Sequence, residues 1–146
     1  MTARGLLVAC GEPAIRHPLE TLVAASLGAS CEAILLPGGC WWVAEAASLT
    51  GGRLKRMLAS RSSTYEAVEQ FLGDPSISSV ALVAHQDCSW YRARHPRSSP
   101  GDLVKRAGED LYAARDEILR LARRALPVSG TMLVSRDGQW DPRRLF

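Results

Sequence analysis

Three short apolar runs, Leu6 to Ala9, Ala33 to Leu36 and Val80 to Ala84, each give way to residues that end a strand: Cys10-Gly11, Pro37-Gly38-Gly39 and His85. Apolar runs of that length, bounded by turn formers, predict strands buried on both faces. Between them, apolar positions recur at helical spacing over 18–28, 41–49 and 52–72, with stops at Gly28, Gly51-Gly52 and Gly73-Asp74-Pro75. A longer amphipathic stretch, 102–125, carries Leu103, Leu111, Ile118, Leu121 and Ala122 near one stripe and stops before Pro127. Val128 to Ser135 predicts another strand, and Asp137-Gly138 is the signal of a hairpin leading to Trp140. Strand alternating with helix predicts an α/β fold of three layers: a mostly parallel sheet flanked by helices, with a C-terminal hairpin strand, in one domain over 1–146. Arg94 to Asp102, rich in Pro, Ser and Gly, predicts a surface loop, and Tyr91 with Arg92, Arg94 and Arg97 an exposed basic connector.

Composition supports a packed core, since 146 residues at 47% hydrophobic content can bury about two-thirds of the surface of the unfolded chain. The net charge of +3 is small, and its basic residues alternate with acids along 102–125, the pattern of a solvated helix face, so no nucleic-acid partner is expected. No apolar run is long enough to span a membrane and the first ten residues do not resemble a signal peptide, so a cytoplasmic location is expected. In that compartment Cys10, Cys31, Cys40 and Cys88 read as buried thiols or metal ligands before disulfides. Cys31 reads as packing, and His17 and His95 as surface residues.

Ligands of open parallel sheets sit beyond the carboxyl ends of the strands. Cys10, the Pro37 to Cys40 turn and His85 to Cys88 all fall there. His85-x-x-Cys88 offers an imidazole nitrogen and a thiolate within one backbone turn, and Cys10 brings a second thiolate from another strand end. Zinc, Zn2+, takes such borderline-soft N and S donors and prefers four of them, so a zinc site on Cys10, His85 and Cys88 is expected. Asp87 reads as a partner of these ligands or as a turn residue bonding its own backbone. Cys40 reads as a fourth thiolate beside the site or as an inert buried thiol.

Cys10-Gly11-Glu12-Pro13-Ala14, Leu35-Leu36-Pro37-Gly38-Gly39, His85-Gln86-Asp87-Cys88 and the final Val128 to Trp140 hairpin resemble, in that order, the motifs of the β-class carbonic anhydrases. The resemblance spans nearly the whole chain. It implies zinc held by two Cys and one His, a small substrate such as carbon dioxide or bicarbonate, and a dimer as the basic unit. It also places Gly38, Gly39 and Cys40 at the cofactor side of the second strand end. With the first strand expected within a few residues of Met1, no counterpart of the N-terminal helical arm common in that family is expected.

Two departures bear on activity. The family's first motif is Cys-x-Asp-x-Arg, with the Arg orienting the Asp; here those positions are Glu12 and Ala14. Arg16 is the nearest substitute for the lost partner, and without it Glu12 is expected to be free to turn toward the metal. Glu12, Arg16 and Asp87 are therefore the expected catalytic set. The apolar Leu35-Leu36 strand end and the Trp41-Trp42 pair, one expected in the core and one walling a pocket or contact, predict a homodimer or higher homo-oligomer. These residues predict a zinc protein resembling a carbonic anhydrase, with weak or altered lyase activity; the alternative is a non-catalytic relative with structural zinc and a partner-binding role.

Overall fold

In the computed structural model, which describes residues 2–27, 30–47 and 63–146, the three apolar runs form strands β1 (Arg4–Ala9), β2 (Cys31–Leu35) and β3 (Ile77–His85). Strands β4 (Val128–Arg136) and β5 (Gln139–Arg144) complete one sheet in the order β2-β1-β3-β4-β5. All pairings are parallel except β4 with β5. The turn between those two has Asp137 at φ 50° and Gly138 at φ 77°, the left-handed pair that an Asp-Gly hairpin requires.

A 3-10 turn (Pro13–Ile15) runs into helix α1 (Arg16–Ser26), and α2 (Trp41–Ala47) follows the double-glycine turn. Helices α3 (Ser63–Leu72), α4 (Ser89–Arg94) and α5 (Pro100–Ala122) complete the described elements. The expected helix ends at Gly28 and Gly51-Gly52, and the expected helix over 52–62, lie outside the described residues.

Two expectations are corrected. Residues 89–94 form α4 and not an exposed connector: Tyr91 is buried while Arg92 and Arg94 face solvent. Six residues are too few for a helical period to show. The long helix starts at Pro100, inside the expected loop, because Ser99 caps it by accepting the Asp102 N–H at 3.1 Å. Proline fits the first helical position, where its missing N–H would have no partner anyway. The helix ends at Ala122 instead of running to 125, because Arg123 turns left-handed at φ 52°.

Strand periodicity separates two faces. Register places Leu6 beside Val80 and Val8 beside Leu82 on one, and Leu7 beside Ala81 and Ala9 beside Val83 on the other. Helix α5 covers the first, its Gly108 against Met132 of β4, with α2 and α3 packed on α5. Helix α1 lies over the second, where its Leu19 and Val23 share a cavity wall with Leu7, Ala33 and Leu35. Leu6, Leu82, Leu111 and Ile118 have no exposed surface, and burying each contributes about 1.5–3 kcal/mol. Where α3 meets α5, Tyr65 Oη donates to Glu117 Oε1 at 2.7 Å and Arg120 pairs with the same buried carboxylate. Among the described residues no helix is long and apolar enough to cross a membrane.

Candidate metal centre

Ala9 of β1 pairs with Val83 of β3, so two parallel strands deliver their carboxyl ends side by side. Cys10 follows directly on β1, and His85 is the last residue of β3. The chain then turns through Gln86 and Asp87, with Asp87 left-handed at φ 57°, and places Cys88 at the cap of α4. That turn brings Cys88 Sγ to 3.9 Å from Cys10 Sγ, across 78 positions of sequence. Both thiols are free and buried, as is His85.

His85 Nδ1 lies 2.8 Å from the Gln86 carbonyl. A carbonyl only accepts, so the Nδ1–H donates and the ring presents a lone pair at Nε2. That Nε2 is buried with no hydrogen-bond partner. One ligand atom each from Cys10, Glu12, His85 and Cys88 lies within 4.8 Å of all the others.

Cys10 and Cys88 titrate as a pair. The hydrogen bond from the Cys88 thiol holds Cys10 well below the usual thiol range, against the opposing effect of burial. The same bond, reinforced by burial, pushes Cys88 up. Burial lowers the pKa of His85, but the Cys10 sulfur and the Gln86 carbonyl outweigh it and the net direction is upward. One thiolate beside an imidazole is the donor set borderline-soft divalent metals select.

The residues fit zinc. Two sulfurs on a tetrahedral zinc at ~2.3 Å stand about 3.8 Å apart, and the observed 3.9 Å separation matches. The orphaned Nε2 is the third donor such a site needs. A cavity of about 10 Å³ lined by Cys10, His85 and Cys88 is about the size of one small sphere.

Glu12 overturns one expectation, because its carboxylate is not free. Oε1 accepts the Ser89 backbone N–H at 2.6 Å and the Ser89 hydroxyl at 2.5 Å. Burial raises the Glu12 pKa, but these two bonds and the nearby His85 bring it net below the usual carboxylate range. Arg16, the expected substitute partner, is exposed and makes no hydrogen bond or ion pair with Glu12 among the described residues, although both line a cavity of about 400 Å³. Apolar Leu7, Leu19, Val23, Ala33 and Leu35 line one part of that cavity, and Glu20 adds a second carboxylate beside Glu12 and Arg16.

The other singled-out residues take these places. Asp87 is exposed and holds the left-handed turn. Gly38, at φ 80°, lies so close to Trp90 that a Cβ would stand 2.6 Å from its Nε1; at Gly39, φ 37°, a Cβ would meet the Ala9 backbone at 2.5 Å. The glycine pair thus lets the second loop close on β1 and carries Cys40 beneath the site. Cys40 stands outside the four-residue cluster, bonded through Sγ to the carbonyls of Val8 at 3.2 Å and Val83 at 3.8 Å. Burial pushes its thiol up to about 12. Trp41 and Trp42 are both half-buried and form one cluster with Trp90: Trp41 packs edge-on against Trp42 at 5.0 Å and Trp90 at 5.5 Å, Trp42 lies tilted to Trp90 at 5.1 Å, and the Arg94 guanidinium sits over Trp90.

Sequence reasoning missed Ser89 and Trp90. No sequence signal marks Ser89: it is the first residue of α4, the cap position being taken by Cys88, and its hydroxyl bonds Glu12 and not the helix start.

No protein-family model and no curated protein sequence matches this chain. Among solved structures, the chain is similar to the crystal structure of the β-carbonic anhydrase CafA of the fungal pathogen Aspergillus fumigatus. The match covers 98% of this chain and 76% of that one, at 14% identity and a TM-score of 0.48.

Proposed function

We propose that this chain is a zinc protein with carbonic anhydrase-like chemistry, acting weakly on carbon dioxide or a related small electrophile. The observation that carries the reading is the convergence of Cys10 Sγ, Cys88 Sγ, the unpartnered His85 Nε2 and a Glu12 carboxylate oxygen within 4.8 Å. Cys10, His85 and Cys88 would hold the ion. Zinc so held supplies activation of water near neutral pH and polarisation of an electrophilic carbon. The chain's own residues supply the surroundings: Glu12 is a fixed acceptor beside the ligands, and the cavity that reaches Cys10 has an apolar side at Leu7, Leu19 and Leu35 and a charged side at Glu12, Arg16 and Glu20, a space for a small molecule.

A second reading has a specific observation behind it. Glu12 stands close enough to be the fourth donor, which would close the site and make the zinc structural. Elemental analysis of purified protein and stopped-flow hydration of carbon dioxide by the zinc-loaded protein test both. About one zinc per chain with measurable hydration supports the enzyme; one zinc without hydration supports the structural site. Protein without zinc overturns both.

A further inference from the structure

We propose that Ser89 is the positioning residue of this centre: through its backbone N–H and its hydroxyl it holds the Glu12 carboxylate beside Cys10, His85 and Cys88. The inference rests on the metal reading above and assigns a device to it that no motif announces. Both bonds land on one oxygen, at 2.6 and 2.5 Å, and both come from a single residue. Charge-assisted bonds of this kind are about twice as strong as neutral ones, enough to outweigh the rotamer freedom that a glutamate gives up when held.

Besides Ser89, the described group that bonds the Glu12 carboxylate is the Cys88 thiol, itself one of the expected ligands. Position 14 is an alanine, and Arg16 is exposed without a bond to Glu12. The backbone of Glu12 is itself restrained. Pro13 follows it, the Ile15 N–H donates to its carbonyl at 3.2 Å, and the preceding Gly11 is packed so closely on Leu35 that a Cβ would stand 3.1 Å from the Leu35 carbonyl oxygen. The remaining freedom lies in the side chain, where Ser89 acts.

The placement of Ser89 ties two parts of the centre together. It follows Cys88 directly, so the segment that delivers a sulfur ligand also delivers the donors that aim the carboxylate. A shift of α4 would move both at once. The centre therefore carries a carboxylate held by a neighbouring turn, with no arginine required.

The test uses the full chain with Ser89→Ala, Ser89→Thr, Glu12→Ala and the Glu12→Ala/Ser89→Ala pair. Zinc affinity is read by chelator competition, and the visible spectrum is read on cobalt-substituted protein. Losing a group that orients the surroundings of a metal costs 10–100-fold in affinity. Ser89→Ala should bind zinc about tenfold more weakly and shift the cobalt bands in the direction Glu12→Ala shifts them. Ser89→Thr should restore both, and the double variant should bind no more weakly than Glu12→Ala alone. In metal-free protein the Ser89 amide proton should move upfield on Glu12→Ala. Wild-type zinc affinity in Ser89→Ala, or an equal further loss on top of Glu12→Ala, overturns the proposal and leaves the metal site standing. A wild type that takes up no zinc overturns the metal reading instead, and the Ser89 amide shift then decides the clamp by itself: an unmoved resonance overturns it.

Discussion

The Tyr91 hydroxyl donates to the Asp110 carboxylate across the α4–α5 contact, and Tyr91 lines the small cavity beside Cys10, His85 and Cys88. Burial pushes the Asp110 carboxyl up to about 6 from 3.8, while the Tyr91 hydrogen bond pulls against it and the charges of Glu45 and Glu109 add to the rise. A carboxyl whose folded pKa is raised binds its proton more tightly folded than unfolded. Its contribution to stability is complete below about 3.8 and is lost as pH rises through about 6. Asp110→Asn keeps the shape without the charge, so it should gain about 2 kcal/mol on wild type between pH 4 and pH 7.5. Denaturant midpoints of the two proteins at both pH values measure this, and parallel pH dependences would show that Asp110 titrates normally.

The glycine turn gives a sharper contrast. Gly39→Ala forces a side chain into φ 37° and against the Ala9 backbone at 2.5 Å, where nothing flexible can yield. It should destabilise by at least about 2 kcal/mol. Gly101→Ala, in the first turn of α5, meets only Ser99 Oγ at 3.9 Å and should stabilise by about 0.5–1 kcal/mol. Thermal unfolding of both variants checks the pair; a harmless Gly39→Ala would mean that the loop does not close on β1 as described.

Much of this architecture was legible because strands buried on both faces announce themselves. Val80 to Ala84 needed no periodicity, and Asp137-Gly138 named its own turn. The convergence of Cys10 with His85 and Cys88 was legible too, since parallel strands put all their carboxyl ends on one edge. The hold on Glu12 was not. It joins residues 77 positions apart through a helix of six residues, and only the orientation of α4 makes Ser89 face Glu12. Arg16, the nearest arginine in sequence, begins α1 and lines the same cavity as Glu12 without bonding it among the described residues, because a clamp is a spatial relation.

The α3–α5 seam offers a test independent of the metal. Tyr65→Phe removes the donor at 2.7 Å from Glu117, a carboxylate only 4% exposed. Loss of a hydrogen bond to a buried charge costs about 1.5–3 kcal/mol, softened here by the Arg120 pair that remains. A midpoint shift within error in urea unfolding would mean that the partners Glu117 keeps, Arg120 among them, satisfy it.

The last prediction concerns activity and follows from the reach of Glu12. Glutamate spans the gap to Ser89 and stays within 4.8 Å of the ligand atoms, where an anionic oxygen competes for a fourth position. Aspartate is one methylene shorter. Glu12→Asp alone should let go of Ser89 and lower zinc affinity about tenfold, leaving the carboxylate unaimed. Adding Ala14→Arg, at an exposed position with room for the longer side chain, gives the shortened carboxylate a partner two residues away. The double variant should then hydrate carbon dioxide at neutral pH at least about tenfold faster than the zinc-loaded wild type, because the fourth position is open and the carboxylate is held beside it. Stopped-flow hydration of wild type, Glu12→Asp and the pair measures this. A wild-type rate equal to that of the pair would show that Glu12, fixed by Ser89, already leaves the position open.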